Sequence, residues 1–124
     1  MKTKGGAKTW YFPDGYLPAK TGDSKMEAHE ALMLLNTGNE PANVRISFYF
    51  TDRPAIHDIS TNVEAERVRT LRLDHPDEIG GTVIPPLTQY ALRVKSDRPL
   101  VAQFGRLDTT QANMAYYVGV GFCE

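Results

Sequence analysis

An all-β domain, a β-sandwich of about eight short and mostly antiparallel strands, is what three features of the sequence predict. The first is alternation. Val44, Ile46, Phe48 and Phe50 fall on one side of a two-residue period, and Arg45, Ser47, Tyr49 and Thr51 on the other. The second is spacing: clusters of Gly, Pro, Asn and Asp recur every ~8–12 residues. The third is the lack of a convincing long helix.

In chain order, residues 1–7 form a basic, flexible tail and Lys8–Phe12 an aromatic strand. Pro13-Asp14-Gly15 then reads as a turn, because proline fixes φ, aspartate bonds its own backbone and glycine takes positive φ. Residues 19–26 lack periodicity and read as loop. Glu27–Asn36 carries helix-favouring Ala, Leu, Met and Glu, yet it is short and ends at Thr37-Gly38-Asn39-Glu40, so a strand is expected. Ala42–Thr51 is the clearest strand. Ile56–Val63 and the arginine-rich Arg67–Leu73 follow. Asp74–Ile84 is a loop with a Gly80-Gly81 hinge, and Pro85 and Pro86 stiffen the entry to Thr88–Lys95. There Tyr90, Leu92 and Val94 face inward while Arg93 and Lys95 face outward. T-D-R-P at Thr51–Pro54 and S-D-R-P at Ser96–Pro99 read as one strand-closing turn used twice. The final strand, Met114–Phe122, sets a bulky face expected to pack against a glycine-lined face that admits another backbone.

At 124 residues the whole chain, 1–124, is expected to be a single domain. A net charge of −1 argues against a whole-domain electrostatic grip on nucleic acid. The lone Cys123 closes no internal disulfide and fits a reducing compartment. No apolar run approaches the ~20 residues of a membrane span, and the basic start leads into no signal-peptide core. A cytoplasmic protein is expected. Asp74-His75, His57-Asp58 and His29-Glu30 are adjacent pairs without zinc spacing, and no nucleotide loop or nucleophile elbow occurs. No metal or cofactor is therefore expected.

Pro99–Ala112 is where chemistry concentrates. Leu100, Ala102 and Phe104 alternate with Val101, Gln103 and Gly105, which predicts a central strand buried on both faces. Gln103, Arg106 and Asp108 then need partners, and Gly105 marks either a bulge that re-aims Arg106 or a close backbone approach. In an extended backbone Arg106 and Asp108 point the same way, roughly 6–7 Å apart. They form either an internal clamp or a clasp on a small hydroxylated or anionic ligand, with His29 or Glu30 beside them. Glu30 and Asp108 could also flank a glycosidic bond in a carbohydrate-active enzyme, with Trp10, Tyr11 and Tyr16 as a sugar platform. A further alternative, DNA binding by Arg67, Arg69 and Arg72 with Arg93 and Lys95, requires an oligomer to gather those charges on one surface.

Five segments in order resemble the sensory rhodopsin transducer family of small soluble prokaryotic proteins. They are W-Y-F-P-D-G-Y-L-P at Trp10–Pro18, H-E-A-L-M-L-L-N-T-G at His29–Gly38, V-R-I-S-F-Y-F-T-D at Val44–Asp52, the A-x-R-x-x-x-x-R segment from Ala65 to Arg72, and D-R-P-L-V-A-Q-F-G-R-L-D-T-T-Q-A at Asp97–Ala112. The resemblance implies a β-sandwich, a homotetramer and a non-enzymatic signalling or small-molecule-binding role, with sugar-like ligands proposed. It also implies that some members couple to a membrane photoreceptor and some are linked to DNA. Trp10, His29, Glu30, Asn36, Gln103, Arg106 and Asp108 fall on matching positions and are the expected ligand-binding set.

Overall fold

The computed structural model describes residues 4–19, 27–110 and 113–124. Within them the chain forms β1 (Ala7–Tyr16), β2 (His29–Asn36), β3 (Ala42–Phe50), β4 (Ile56–Val63), β5 (Arg67–Arg72), β6 (Gln89–Asp108), β7 (Ala115–Gly119) and β8 (Phe122–Cys123). A single 3-10 turn, Pro76–Glu78, interrupts the connection from β5 to β6. All strand pairings are antiparallel. The all-β expectation holds.

Everything hangs on β6, a strand of 20 residues. Its first half runs between β3 and β1, where Leu92 faces Phe48 on one side and Phe12 on the other. Its second half runs between β2 and β7, where Phe104 faces Leu32 and Gly119. One eight-stranded sheet therefore folds over along β6, and the two layers β4-β3-β6-β1-β8 and β5-β2-β6-β7 share that strand. Between them lies one apolar cluster: Val44, Ile46 and Phe48 from β3, Leu32 and Leu34 from β2, Leu71 from β5, and Tyr90, Leu92, Val94 and Phe104 from β6. Burying each such large side chain contributes about 1.5–3 kcal/mol, so the alternation that predicted the strands also supplies the core.

Five local expectations are corrected. Ser96-Asp97-Arg98-Pro99 closes no strand, and two expected strands are one. The β3 ladder ends at Ser96 and the β2 ladder begins at Val101, so Pro99 lies where no ladder donor is required. Pro13 and Asp14 form a bulge rather than a turn, since both stand opposite the single Ala91 between the pairs Phe12–Leu92 and Gly15–Tyr90. The Pro99 strand is buried on one face only: Val101 is 43% exposed and Gln103 is exposed too. Finally, the C-terminal strand divides, with β7 on β6 and β8 on β1, and its faces are reversed. Tyr116, Val118, Val120 and Phe122 point to solvent. Gly119 and Gly121 instead lie against the rings of Phe104 and Phe12, where an added Cβ would approach to 3.3 and 2.6 Å. The expected loose tail also ends early, because Ala7 is fully buried in β1.

Candidate functional site

Even-numbered residues of β2 face the core, and that period carries Glu30 inward with Leu32 and Leu34. Glu30 is fully buried, and both of its oxygens are engaged. Oε1 accepts from Tyr90 Oη at 2.7 Å and from the Tyr16 backbone N–H at 3.0 Å. Oε2 accepts from Arg106 Nε at 2.8 Å and from the same Tyr16 N–H at 2.9 Å. Burial pushes the Glu30 carboxyl above its usual range, and the donors from Tyr16, Tyr90 and Arg106 pull it only partly back. The Tyr90 phenol is raised well above its ordinary value, first by burial and then by the neighbouring Glu30 charge.

Arg106 stands directly opposite Glu30 on β6 and opposite Tyr117 on β7, so the three form one cross-strand row. Its guanidinium lies 4.6 Å from the Tyr117 ring centre and donates through Nη2 to the Asp14 carbonyl at 3.3 Å. Burial works against the Arg106 charge, but the hydrogen bond and charge of Glu30 outweigh it and hold the proton more firmly. The β1 bulge presents Asp14, whose carboxylate also meets Tyr117 Oη at 3.4 Å and Gln89 Nε2 at 3.3 Å. Glu30, Arg106 and Tyr117 belong to one layer, and Asp14, Tyr16 and Tyr90 to the other. The cluster is a polar rivet through the end of the sandwich.

Only Glu30 and Arg106 of the seven expected site residues come together. Asp108 makes no ion pair with Arg106; its Oδ1 accepts from the Thr110 N–H at 2.8 Å and Oγ1 at 2.7 Å, and these hold its carboxyl below the usual range. His29 sits on the opposite face of β2 from Glu30, with Nδ1 2.8 Å from the Glu27 carbonyl. Gln103 projects from the exposed face of β6. Trp10 packs parallel to Phe12 and donates to the carbonyls of Ala7 and Leu100, bracing the irregular start of β1. Asn36 is buried at the far end of β2, about 20 Å along the strand from Glu30. There it donates to the carbonyls of Glu40, Val63 and Glu64 and accepts from the Gly38 N–H, tying two loops together. Glu30 and Asp108 thus share no cleft in which a bond could be cut.

Residues outside the expected ligand-binding set line other features. Glu27, Asp74 and His75 bring ligand-type atoms within 4.8 Å of one another. Arg72 already occupies that position, with Nε and Nη2 each 2.8 Å from Asp74 and Nη2 3.5 Å from Glu27. A cleft of about 340 Å³ opens beside it, walled by Leu17, Pro18, Ala28, Ile84 and Leu87 with Asp74 at its edge. The charges of the DNA-binding alternative lie apart within one chain, Arg67 and Arg69 on β5 and Arg93 and Lys95 on the other layer, so only an oligomer could gather them.

The family described as Anabaena sensory rhodopsin transducer matches residues 5–123. A solved structure of Thermotoga maritima 1070 is 33% identical, aligns over 96% of each chain and superposes with a TM-score of 0.82. That of the Anabaena sensory rhodopsin transducer is 27% identical, covers 84% of this chain and 98% of its own, and gives a TM-score of 0.66. No curated protein matches the sequence.

Proposed function

The chain belongs to the Anabaena sensory rhodopsin transducer family, and from this premise we propose that it is a non-enzymatic relay domain of the cytoplasm, acting as a homotetramer that docks a sensor partner. One observation carries the reading. The outer face of β5, β2, β6 and β7 bears Val68 (65% exposed), Leu35 (39%), Val101 (43%), Val118 (44%) and Tyr116 (55%). Register makes them neighbours: Leu35 pairs with both Val68 and Val101, and Val118 and Tyr116 pair with Gly105 and Leu107 farther along β6. The two apolar groups, Leu35, Val68 and Val101 at one end and Val118 and Tyr116 at the other, flank the exposed Gln103, and exposed apolar area of this kind on one sheet face marks a protein contact. The rivet at Glu30 adds rigidity rather than chemistry, since every carboxylate oxygen there has a donor.

Small-molecule binding is placed by this reading in the cleft beside Ile84 and Leu87, whose volume of about 340 Å³ suits a small ligand. Its aliphatic walls favour a compact apolar body over a polyhydroxylated sugar. Sedimentation at micromolar concentration tests the docking claim. Wild type is expected as a tetramer, and Val101→Glu, which buries a charge in the contact, as a smaller species with an unchanged far-UV spectrum. A monomeric wild type, or a Val101→Glu tetramer, overturns the reading.

A further inference from the structure

The opposite face of the molecule carries an arrangement that the docking surface does not explain. On the outer side of the first layer, Lys95 of β6 stands directly across from Arg45 of β3, and Arg93 follows two residues along β6 on the same side, across from Ser47. Directly paired residues in an antiparallel ladder have Cβ atoms roughly 4.5–5.5 Å apart, and like charges so placed destabilise the sheet. Three cations thus share a rigid patch.

Among the described residues, Arg53, Arg72, Arg98 and Arg106 each form an ion pair with a carboxylate, whereas Arg45, Arg93 and Lys95 form none. Arg93 is the telling member. It is half-buried, its guanidinium carbon lies 6.0 Å from the Tyr49 ring centre, and its buried Nε has no hydrogen-bond partner. Buried polar groups are normally satisfied, so this Nε is an exception among the described residues. The three cations line a shallow depression of about 610 Å³ together with Asn43, Ser96, Asp58 and Asp97. The last carboxylate is already engaged by the Asn43 backbone N–H at 2.8 Å and Nδ2 at 3.0 Å. Asp58 reaches the rim through a left-handed backbone, φ 59°, with its N–H on Ser47 Oγ at 3.3 Å.

We infer that Arg45, Arg93 and Lys95 form a binding site for a compact phosphate-bearing small molecule. A guanidinium fork and two further cations match the geometry and charge of a phosphate. The acidic rim at Asp58 and Asp97 repels an extended polyanion such as duplex DNA but accepts hydroxyl donors of a small ester. The site lies on the layer away from the apolar face and is independent of the tetramer reading.

The probes are inorganic phosphate and pyrophosphate, titrated against the full chain at ionic strength held constant with sodium chloride. Pyrophosphate is expected to raise the melting temperature by roughly 3–10 °C at saturation. Arg93→Gln should weaken its binding at least ~10-fold, the loss expected for one charge-assisted contact. Lys95→Gln, at an exposed position that leaves the fold intact, should weaken it similarly, while Arg69→Gln on β5 should not. No shift in wild type, an equal response in all variants, or binding of a duplex without binding of pyrophosphate overturns the inference.

Discussion

Arg106→Ala tests the rivet between the layers most sharply. The substitution removes the 2.8 Å bond from Nε to Glu30, the contact with Tyr117 and the bond to the Asp14 carbonyl. Glu30 keeps Tyr90 and Tyr16 as donors but remains fully buried without a counter-charge. Breaking a buried pair from one side costs ~3–5 kcal/mol. The Arg106 side chain is 17% exposed, so water can follow into the space and the lower end of that range applies. About 3 kcal/mol corresponds to a melting temperature lowered by roughly 10–15 °C in a chain of this length. The pH dependence adds a second readout. Because burial holds Glu30 above its ordinary value of 4.5, the folded state binds the extra proton, and stability falls as pH rises from 4.5 through the raised value. Without Arg106 one of the groups pulling that value down is gone, so the decline becomes steeper and reaches higher pH. Adding Glu30→Gln to Arg106→Ala should flatten it. Differential scanning calorimetry between acid and neutral pH reads both effects. A melting temperature within about 3 °C of wild type, or stability that rises with pH in this window, would refute the reasoning.

Gly15→Ala forces a methyl to within 2.5 Å of the Tyr90 ring, which is buried and held by Glu30, so a loss of about 2–3 kcal/mol is expected in urea unfolding. Gly105→Ala meets only the movable ends of Tyr116 and Met33, and should cost less while displacing the Tyr116 ring, seen as a change in its NMR shifts. Asn36→Ala strands the carbonyls of Glu40, Val63 and Glu64, and should cost about 1–3 kcal/mol with faster exchange of the Gly38 amide. Val101→Glu should leave the fold intact and reduce the assembly, as sedimentation would record.

The strands were legible wherever one face is dry. Val44, Ile46 and Phe48 on β3, and Tyr90, Leu92 and Val94 on β6, alternate because water lies on one side of them only. Prolines misled. Pro13 and Pro99 mark turns in most contexts, but here each sits where the ladder skips a residue or changes partner, and pairing register cannot be seen in one strand's sequence. The site was half legible. Arg106 does require a partner, and Glu30 is that partner because the β2–β6 register sets them opposite. Asp108, two residues along, was chosen by proximity in sequence, yet a Thr110 two positions later captures it first. The reversed faces of the C-terminal strand follow from Phe12 and Phe104, whose rings fill the space above Gly121 and Gly119 and leave the larger side chains no inward room.

The claim that this protein works through the outer face of β5, β2, β6 and β7 is tested most directly by amide hydrogen exchange below and above the concentration of assembly. The account predicts that amides of β2, β5 and β7 exchange more slowly in the assembled protein while those of β4 and β8 are unchanged. Protection confined to β4 and β8, or none at any concentration, would contradict it.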